Sequence, residues 1–359
     1  MKKAFLALAF GVCLALGAGE IASRIVLNSR RNEWIEKWIT NRPVTEIDIY
    51  APNHHICYKV APNAPSMQYR GPHNSLGFRG PEPRAESKDW IRIVCMGGST
   101  TYGTRNANES DCWPRKLETI LRASNPNIEV INAGVPAYTS AESLQSLREE
   151  ILPLNPDIVI FLAGFNDVMP RFMPDFCSDY SHYRKTWQRP ALEKPEPVSG
   201  LALFSIFKKD LYNNPVHLPL RLLTGKDYHE MPEAEVVAFD SNSAATFRRN
   251  VRTFTDAAQG AGANVLLVTQ SFLPELISVD FIQPRIRFFE TGLREHSEAV
   301  RAVAKETNAP LADLESFITD RTAFDDIVHH TALGAELMAQ AIAREIVANA
   351  LLEPRAKPK

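Results

Sequence analysis

From residue 91 almost to its end, the chain alternates short apolar runs with longer segments whose apolar residues recur every three or four positions. The short runs have the length and branched residues of strands that are buried on both faces. The longer segments have the period of helices with one buried face. Because strands and helices alternate, the strands are expected to lie parallel in one sheet with helices on both faces. The sequence therefore predicts a doubly wound α/β domain.

The predicted elements can be placed along the chain. Strands are predicted at residues 91–96, 128–135, 158–163, 265–269 and 311–314, and helices at 113–123, 141–152, 246–258, 288–307 and about 332–351. An insertion at about residues 170–242, rich in proline and aromatic residues, separates the third strand from the fourth. An insertion of this length is either a lid or substrate wall beside a site, or an elaboration that adds stability or a partner surface.

The N-terminus has the pattern of an export segment. Met1-Lys2-Lys3 precedes an uncharged apolar run at residues 4–19, which continues into an amphipathic segment at 21–38. Residues 1–25 are therefore predicted to be a cleaved signal peptide or a retained membrane anchor, with a buried core helix as the alternative. Either export reading places the remaining chain outside the cytoplasm, in the periplasm or secreted. The rest divides into an irregular N-terminal arm (26–88), the α/β domain with its insertion (89–352) and a short tail (353–359).

Composition narrows the class of partner. The chain has 40 Lys and Arg against 42 Asp and Glu, with an isoelectric point near 6.5. There is no overall basic field to attract nucleic acid, so we expect no nucleic-acid partner.

Cysteine and histidine do not form a recognisable metal site. The run His54-His55-Ile56-Cys57 lacks a second ligand cluster at a known spacing, so neither a metal nor another cofactor is expected. Four cysteines lie outside the export segment, and the sequence does not determine their pairing: Cys57, Cys95, Cys112 and Cys177. Cys95 lies inside a predicted apolar strand, which favours a buried free thiol there.

Polar residues follow the ends of three predicted strands. Ser99 follows the first strand through Gly97-Gly98, residues 132–140 follow the second, and Gly164-Phe165-Asn166-Asp167 follows the third. The carboxyl edge of a parallel sheet is where open α/β folds bind their ligands. Ser99 is a candidate nucleophile there, its N–H a candidate oxyanion donor, and the Asn166 amide an uncharged donor for the same oxyanion. Each segment taken alone would be read as an ordinary turn or helix cap.

A candidate acid–base pair precedes the last helix. Asp326 and His329 are three residues apart, and Thr331 can cap the helix that follows. In a turn, this spacing brings a carboxylate to one imidazole nitrogen and leaves the other nitrogen free to act as a base. Asp325 and His330 leave the pairing open, because Asp325 with His329, or Asp326 with His330, would be four residues apart.

As a set, these residues resemble the SGNH hydrolase family, also called GDSL-like lipases and esterases, from about residue 74 to residue 351. Ser99 matches the nucleophile, Asn166 the oxyanion asparagine of the Gly-x-Asn-Asp block, and Asp326 with His329 the Asp-x-x-His block. The resemblance implies a three-layer α/β/α sandwich with a five-stranded parallel sheet of flavodoxin-like type. Ala137 stands where the family usually has its oxyanion glycine, and alanine keeps the backbone N–H provided that φ is negative.

The resemblance and the residues together predict a serine esterase acting through an acyl-serine intermediate, with Ser99, Asp326 and His329 as the triad and with Ser99, Ala137 and Asn166 forming the oxyanion hole. Ester substrates, including acyl groups on envelope glycans or lipids, are the expected partners. Two alternatives remain at this point. One is an O-acyltransferase of envelope polysaccharide that uses the same serine, and the other is an inactive envelope binding protein.

Overall fold

The computed structural model describes residues 11–12, 14–22, 25, 50–53, 55–64, 72–84, 90–173, 175–183, 233–276 and 286–353. The strands are β1 (Tyr50–Asn53), β2 (Cys57–Val60), β3 (Ile91–Gly97), β4 (Ile128–Gly134), β5 (Ile158–Leu162), β6 (Asn264–Val268) and β7 (Leu311–Ala312). The last five form one sheet in the order β4-β3-β5-β6-β7, with every neighbouring pair parallel. All five predicted core strands are thus confirmed, with ends shifted by at most two residues.

Helices connect these strands and cover both faces of the sheet. They are α1 (Ser99–Tyr102), α2 (Trp113–Arg122), α3 (Ser140–Ser146), α4 (Phe165–Val168), α5 (Glu233–Ser241), α6 (Ala245–Gly260), α7 (Ile286–Thr307), α8 (Leu314–Phe317) and α9 (Ala332–Ala348). The predicted helix at 141–152 is interrupted, because α3 passes into a π-helical stretch at Leu147–Ile151 and a 3₁₀ turn at Leu152–Leu154. Pro153 lies in that last turn, where it has no N–H to continue the helical hydrogen bonds.

Two apolar cores, one on each face of the sheet, hold the sheet between two layers of helices. On one face, α2 and α9 bury Leu117 and Ile342 with Ile160 of the central strand β5. On the other face, α6 and α7 pack on the same strand, where the rings of Phe161 and Phe254 stack with their centroids 3.9 Å apart. Burial on both faces explains why β5 is a continuous apolar run and not an alternating one. The predicted α/β/α sandwich is confirmed.

The order of the strands creates a crevice at the carboxyl edge. The chain passes from β3 outward to β4 and then returns to the opposite side of β3 to form β5. The loops after β3 and β5 consequently leave in opposite directions, and ligands of open α/β sheets bind where this happens. Ser99 follows β3 and Asn166 follows β5, so both candidate residues flank this switch point.

The arm predicted to be irregular contains a hairpin. Strands β1 and β2 pair antiparallel, from Tyr50 with Val60 to Asn53 with Cys57. The Asn53 side chain accepts the N–H groups of His55 and Ile56, which satisfies the backbone of the tight turn. Residues 26–49 and 354–359, together with 184–232 of the predicted insertion, lie outside the described residues.

Only part of the predicted export segment is described. Residues 14–22 are helical, and the side chains of Leu14, Leu16 and Ile21 are 59%, 56% and 63% exposed. The alternative of a buried core helix is therefore wrong for these residues. Among the described helices, none combines the length and the apolar character that crossing a membrane requires. Residues 1–10, at the start of the predicted segment, lie outside the described part of the chain.

The cysteine side chains that the structure describes are free thiols. Cys95 is fully buried within β3, as its position in an apolar run predicts, and Cys112 and Cys177 are also unpaired. Burial raises the pKa of the Cys112 thiol to about 12. Within the described ranges, no three His, Cys, Asp or Glu side chains are grouped so that they could hold a metal ion.

Candidate active site

Two glycines place Ser99 at the mouth of the crevice. Gly97 has φ +154°, and a Cβ there would lie 2.2 Å from the carbonyl oxygen of Leu162 in the neighbouring strand. A Cβ on Gly98 would lie 2.8 Å from the amide nitrogen of Asn166. Any larger residue would therefore push the serine turn away from β5 or displace Asn166. Ser99 begins α1, so its N–H belongs to the first turn, where intrahelical acceptors are missing.

Ser99, His329 and Asp326 form one hydrogen-bonded chain. The Ser99 hydroxyl lies 2.8 Å from Nε2 of His329. The other ring nitrogen, Nδ1, lies 2.8 Å from both carboxylate oxygens of Asp326. A carboxylate on Nδ1 favours the tautomer that carries its proton there, which leaves Nε2 free to accept the proton of the serine. The sequence places Ser99 and His329 230 residues apart, and the fold brings them into contact.

Asp326 is held as a carboxylate by its own loop. Its side chain is nearly buried and also accepts the backbone N–H groups of Val328 at 3.1 Å and His329 at 2.9 Å. Burial acts to raise the pKa of Asp326, but the hydrogen bonds from the His329 ring and from these two N–H groups outweigh it. The pKa is therefore well below its ordinary value. The half-exposed Arg105 guanidinium adds a charged contact, 3.1 Å from Oδ2.

His330 occupies a different environment from His329. It is buried, its Nε2 lies 2.8 Å from the hydroxyl of Ser271, and its ring packs against Phe324 with the centroids 4.7 Å apart. Burial lowers the pKa of His330 to about 3, so its imidazole is neutral. The pairing that the spacing left open is therefore Asp326 with His329, while His330 packs into the protein interior behind them.

Asn166 and the loop after β4 meet beside the serine. The Asn166 amide donates to the carbonyl oxygen of Tyr138 at 2.9 Å. This amide nitrogen is also the atom that a Cβ on Gly98 would meet, so Asn166 lies between the serine turn and the loop that carries Ala137. An amide carries two N–H groups, and one of them is used in this contact.

Ala137 adopts a backbone conformation that alanine rarely takes. The N–H of Tyr138 donates to the carbonyl of Val135 at 3.2 Å, closing a turn with Pro136 second and Ala137 third. Ala137 has φ +65°. Proline at the second position and positive φ at the third define a type II turn, whose third position favours glycine. The negative φ that an alanine donor was expected to need is therefore not observed, and the left-handed conformation costs about 1 kcal/mol.

The carboxylate of Asp167 holds the same loop through hydrogen bonds to Ser140. It is fully buried and accepts the backbone N–H of Ser140 at 3.0 Å and its hydroxyl at 2.5 Å. Thr139 caps α3 by accepting the N–H of Ala141 at 3.2 Å. Burial raises the pKa of Asp167 to about 7 even though hydrogen bonds from Ser140 act to lower it. In the Gly-Phe-Asn-Asp segment, Asn166 thus provides a candidate hydrogen-bond donor, and Asp167 holds the loop that follows β4.

An aromatic cluster borders the site. It is built from the helix that carries Asn166, from the described ends of the 170–242 insertion, from the loop after β6, from α7 and from the loop between Asp326 and His329. Its buried members are Val168, Phe172, Phe239, Phe272, Phe289, Leu293, Ile327 and Val328, with Phe165, Met169 and Phe288 packed against them. The rings of Phe172 and Phe239, one from each described end of the insertion, stack with centroids 5.0 Å apart. The insertion therefore begins and ends beside the candidate site.

Several residues that support the site were not singled out from the sequence. Arg105 donates to the Asp326 carboxylate, and Asp167 accepts from the Ser140 hydroxyl. Nδ1 of His296 lies 2.8 Å from the Gly164 carbonyl. The Tyr58 hydroxyl donates to the Pro136 carbonyl at 2.8 Å. All four contacts join residues distant in the sequence. Of these, only Asp167 had a sequence signal, because it belongs to the Gly-x-Asn-Asp block.

A hydroxyl, an imidazole and a carboxylate linked in this order at the edge of a parallel sheet are the arrangement that serine hydrolases use. Comparison of sequences agrees, since the profile of the GDSL-like Lipase/Acylhydrolase family matches residues 95–337, more than half of the chain. The protein belongs to this family and is a hydrolase that acts on ester bonds. Comparison with curated proteins found no match.

Comparison with solved structures also found similar chains. A lipase/acylhydrolase from Enterococcus faecalis is 20% identical, and the alignment covers 72% of this chain and 96% of that one with a TM-score of 0.45. A catalytic mutant of an acetylxylan esterase from Geobacillus stearothermophilus is 16% identical, with 71% and 94% covered and a TM-score of 0.43.

Proposed function

We propose that this protein is a serine esterase that hydrolyses carboxylic esters through an acyl-serine intermediate, with Ser99 as nucleophile, His329 as base and Asp326 as the orienting carboxylate. One observation carries the proposal. The imidazole of His329 lies 2.8 Å from the Ser99 hydroxyl on one side and 2.8 Å from the Asp326 carboxylate on the other. A nucleophile, a base within hydrogen-bond reach and a group that orients the base are the parts that acyl transfer to serine needs.

In the first half of the reaction, Nε2 of His329 takes the hydroxyl proton while Oγ of Ser99 bonds to the ester carbonyl carbon. The carbonyl oxygen becomes an oxyanion, and the imidazolium is stabilised by the ionised Asp326. The tetrahedral intermediate then breaks its bond to the alcohol oxygen, which takes the proton from His329 and leaves. In the second half, water repeats these steps on the acyl-serine, so that one ester and one water give one acid and one alcohol.

The oxyanion would receive its hydrogen bonds from the backbone N–H groups of Ser99 and Ala137 and from the Asn166 amide. One N–H of that amide is bound to the Tyr138 carbonyl at 2.9 Å, which fixes the side chain and directs its second N–H elsewhere. Donors that are already oriented stabilise developing charge without reorganising. In this proposal Asn166→Ala lowers kcat by ~10²- to 10³-fold, as loss of one such donor does in other enzymes.

The substrate is proposed to be an acylated envelope glycan or lipid. The aromatic cluster beside Asn166 and the His329 loop has three partly buried members, Phe165, Met169 and Phe288, against which an acyl group or a sugar face can pack. The N-terminal sequence supports a location outside the cytoplasm, and the exposed apolar side chains of Leu14, Leu16 and Ile21 suit a segment that inserts into a membrane or an export channel. Fractionation of cells and sequencing of the mature N-terminus would distinguish a cleaved signal from an anchor.

The decisive test replaces Ser99 by alanine and measures hydrolysis of a short-chain aryl ester. We expect kcat to fall by ~10⁴-fold or more, since the triad acts as a unit. Ser316→Ala is the matched control, because Ser316 is an exposed serine on α8 that bonds to Asp313 at 3.0 Å. Full activity in Ser99→Ala, or equal loss in both variants, would show that the nucleophile is misassigned.

Two further measurements separate the alternatives. Labelling by a fluorophosphonate probe that disappears in Ser99→Ala counts against a binding protein without turnover. Mass spectrometry of the products distinguishes hydrolysis from transfer, since hydrolysis releases the free acid and a transferase places the acyl group on a glycan hydroxyl.

A further inference from the structure

The turn that carries Ala137 is held in place by the N-terminal arm. Ala137 has φ +65° at the third position of a Pro-containing turn, a conformation that a non-glycine residue keeps only when its surroundings enforce it. The residues on both sides of it, Pro136 and Tyr138, are each hydrogen-bonded to Tyr58 of β2. The enforcing contact therefore comes from outside the α/β core.

The contact is reciprocal and buried. The Tyr58 hydroxyl donates to the carbonyl oxygen of Pro136 at 2.8 Å, and the Tyr138 hydroxyl donates to the carbonyl oxygen of Tyr58 at 2.6 Å. The two rings meet edge to face with centroids 5.3 Å apart, within an apolar cluster that the arm forms with the loop. Both hydrogen bonds lie in the protein interior, where exchange with water cannot replace them.

The same turn faces the candidate active site on its other side. The carbonyl of Tyr138 accepts the Asn166 amide at 2.9 Å, and the next helix begins at Ser140, which Asp167 binds. Tyr138 thus connects the arm, through its hydroxyl, with the proposed oxyanion donor, through its carbonyl. A shift of this turn would move Ala137 and Asn166 together, and misplacing catalytic groups by about 1 Å can cost ~10²-fold in rate.

We propose that Tyr58 is a positioning residue for the oxyanion hole, and that the hairpin of β1 and β2 is an integral part of the active site. Tyr58 acts through the Ala137 turn and is not itself a catalytic residue. This inference rests on the proposed esterase function, since it concerns two of the donors assigned there.

The test is Tyr58→Phe, which removes one hydroxyl and keeps the ring, assayed on a soluble aryl ester. We expect kcat to fall by about 10- to 100-fold with KM changed less than about two-fold, because the lost stabilisation concerns the transition state. Lys59→Ala is the matched control. Lys59 is the next residue of the same strand and binds Glu150 at 3.4 Å, away from the turn, so its loss should leave kcat unchanged.

Repeating the Tyr58→Phe change in the Ala137→Gly variant distinguishes a loss of positioning at residue 137 from a general loss of stability. Glycine adopts positive φ without being forced, so in Ala137→Gly the Tyr58→Phe change should cost at most a few-fold. A loss of the same size in both backgrounds, or a loss confined to KM, would overturn the inference. Tyr138→Phe breaks the second hydrogen bond and should repeat the kcat effect, which keeps the test usable if Tyr58→Phe folds poorly.

The outcome also separates this inference from the proposed function. If Ser99→Ala is inactive while Tyr58→Phe matches the wild type, the esterase mechanism stands and the role of Tyr58 is refuted. If Ser99→Ala remains active, the proposed mechanism itself fails, whatever Tyr58→Phe shows.

Discussion

Replacing Asp167 by asparagine removes an ionisable group that the fold buries completely, so its effect on stability should depend on pH. The carboxyl group is 0% exposed and receives hydrogen bonds from the backbone and hydroxyl of Ser140 and from the hydroxyl of Tyr180. Burial disfavours the charged form and raises its pKa from 3.8 to about 7. Asparagine has the same shape and stays neutral at every pH.

The sign and size of the effect follow from counting protons. Between about pH 4 and 7, the folded protein holds a proton on Asp167 that the unfolded chain has already released. The free energy of unfolding therefore falls as the pH rises through this window, by about 1.4 kcal/mol per pH unit. From pH 5 to pH 7 this amounts to about 2 kcal/mol, because the slope weakens near pH 7, where the folded protein also begins to release the proton.

The measurement is urea unfolding of the wild type and of Asp167→Asn at pH 5 and pH 8. Relative to the wild type, the variant should be about 3 kcal/mol more stable at pH 8 than at pH 5. Asp320→Asn is the control, because hydrogen bonds from Thr322 lower the pKa of Asp320 and keep it ionised at both pH values. If Asp167→Asn differs from the wild type equally at pH 5 and pH 8, then Asp167 does not titrate in this window and its burial has been misjudged.

Three shorter predictions concern other parts of the site and core. Ala137→Gly should raise the free energy of unfolding by about 0.5–1 kcal/mol in urea titrations, because glycine relieves the left-handed strain but has a more flexible unfolded chain. His329→Ala should abolish ester hydrolysis, whereas His330→Asn should keep measurable kcat while losing about 1–3 kcal/mol of stability through the bond to Ser271. Native Cys112 should resist iodoacetamide at pH 8 and react after unfolding, since burial raises its pKa to about 12.

The sheet and the acid–base pair could be predicted because their signals are local. A strand buried on both faces is apolar at most positions, so β5 is a continuous apolar run and β3, β4 and β6 are recognisable as largely apolar segments. Asp326 and His329 are three residues apart, and the carboxylate also caps the backbone of its own loop, so their pairing needs no distant contact. The glycines before Ser99 likewise mark a turn that only a residue without a side chain can make.

The contacts that hold the Ala137 turn and the Asp326 carboxylate from outside could not be predicted, because they join distant segments of the chain. Tyr58 and Pro136 are 78 residues apart, and Arg105 and Asp326 are 221 apart. No spacing rule connects such pairs. The positive φ of Ala137 could not be predicted either, since alanine rarely adopts the left-handed conformation. The contacts around Ala137 explain why the chain tolerates that conformation there.

The residues that support the site extend beyond the part of the chain that the family profile matches. The family match begins at residue 95, and it includes Ser99, Ala137, Asn166, Asp326 and His329. The hairpin of β1 and β2 precedes it, yet Tyr58 in that hairpin holds both neighbours of Ala137. A chain that lacks only this hairpin would keep every residue proposed to contact the substrate carbonyl and would lose the contact that fixes one of them. Since a donor must be oriented before the charge develops, such a fragment should retain its acyl-accepting serine but stabilise the oxyanion poorly.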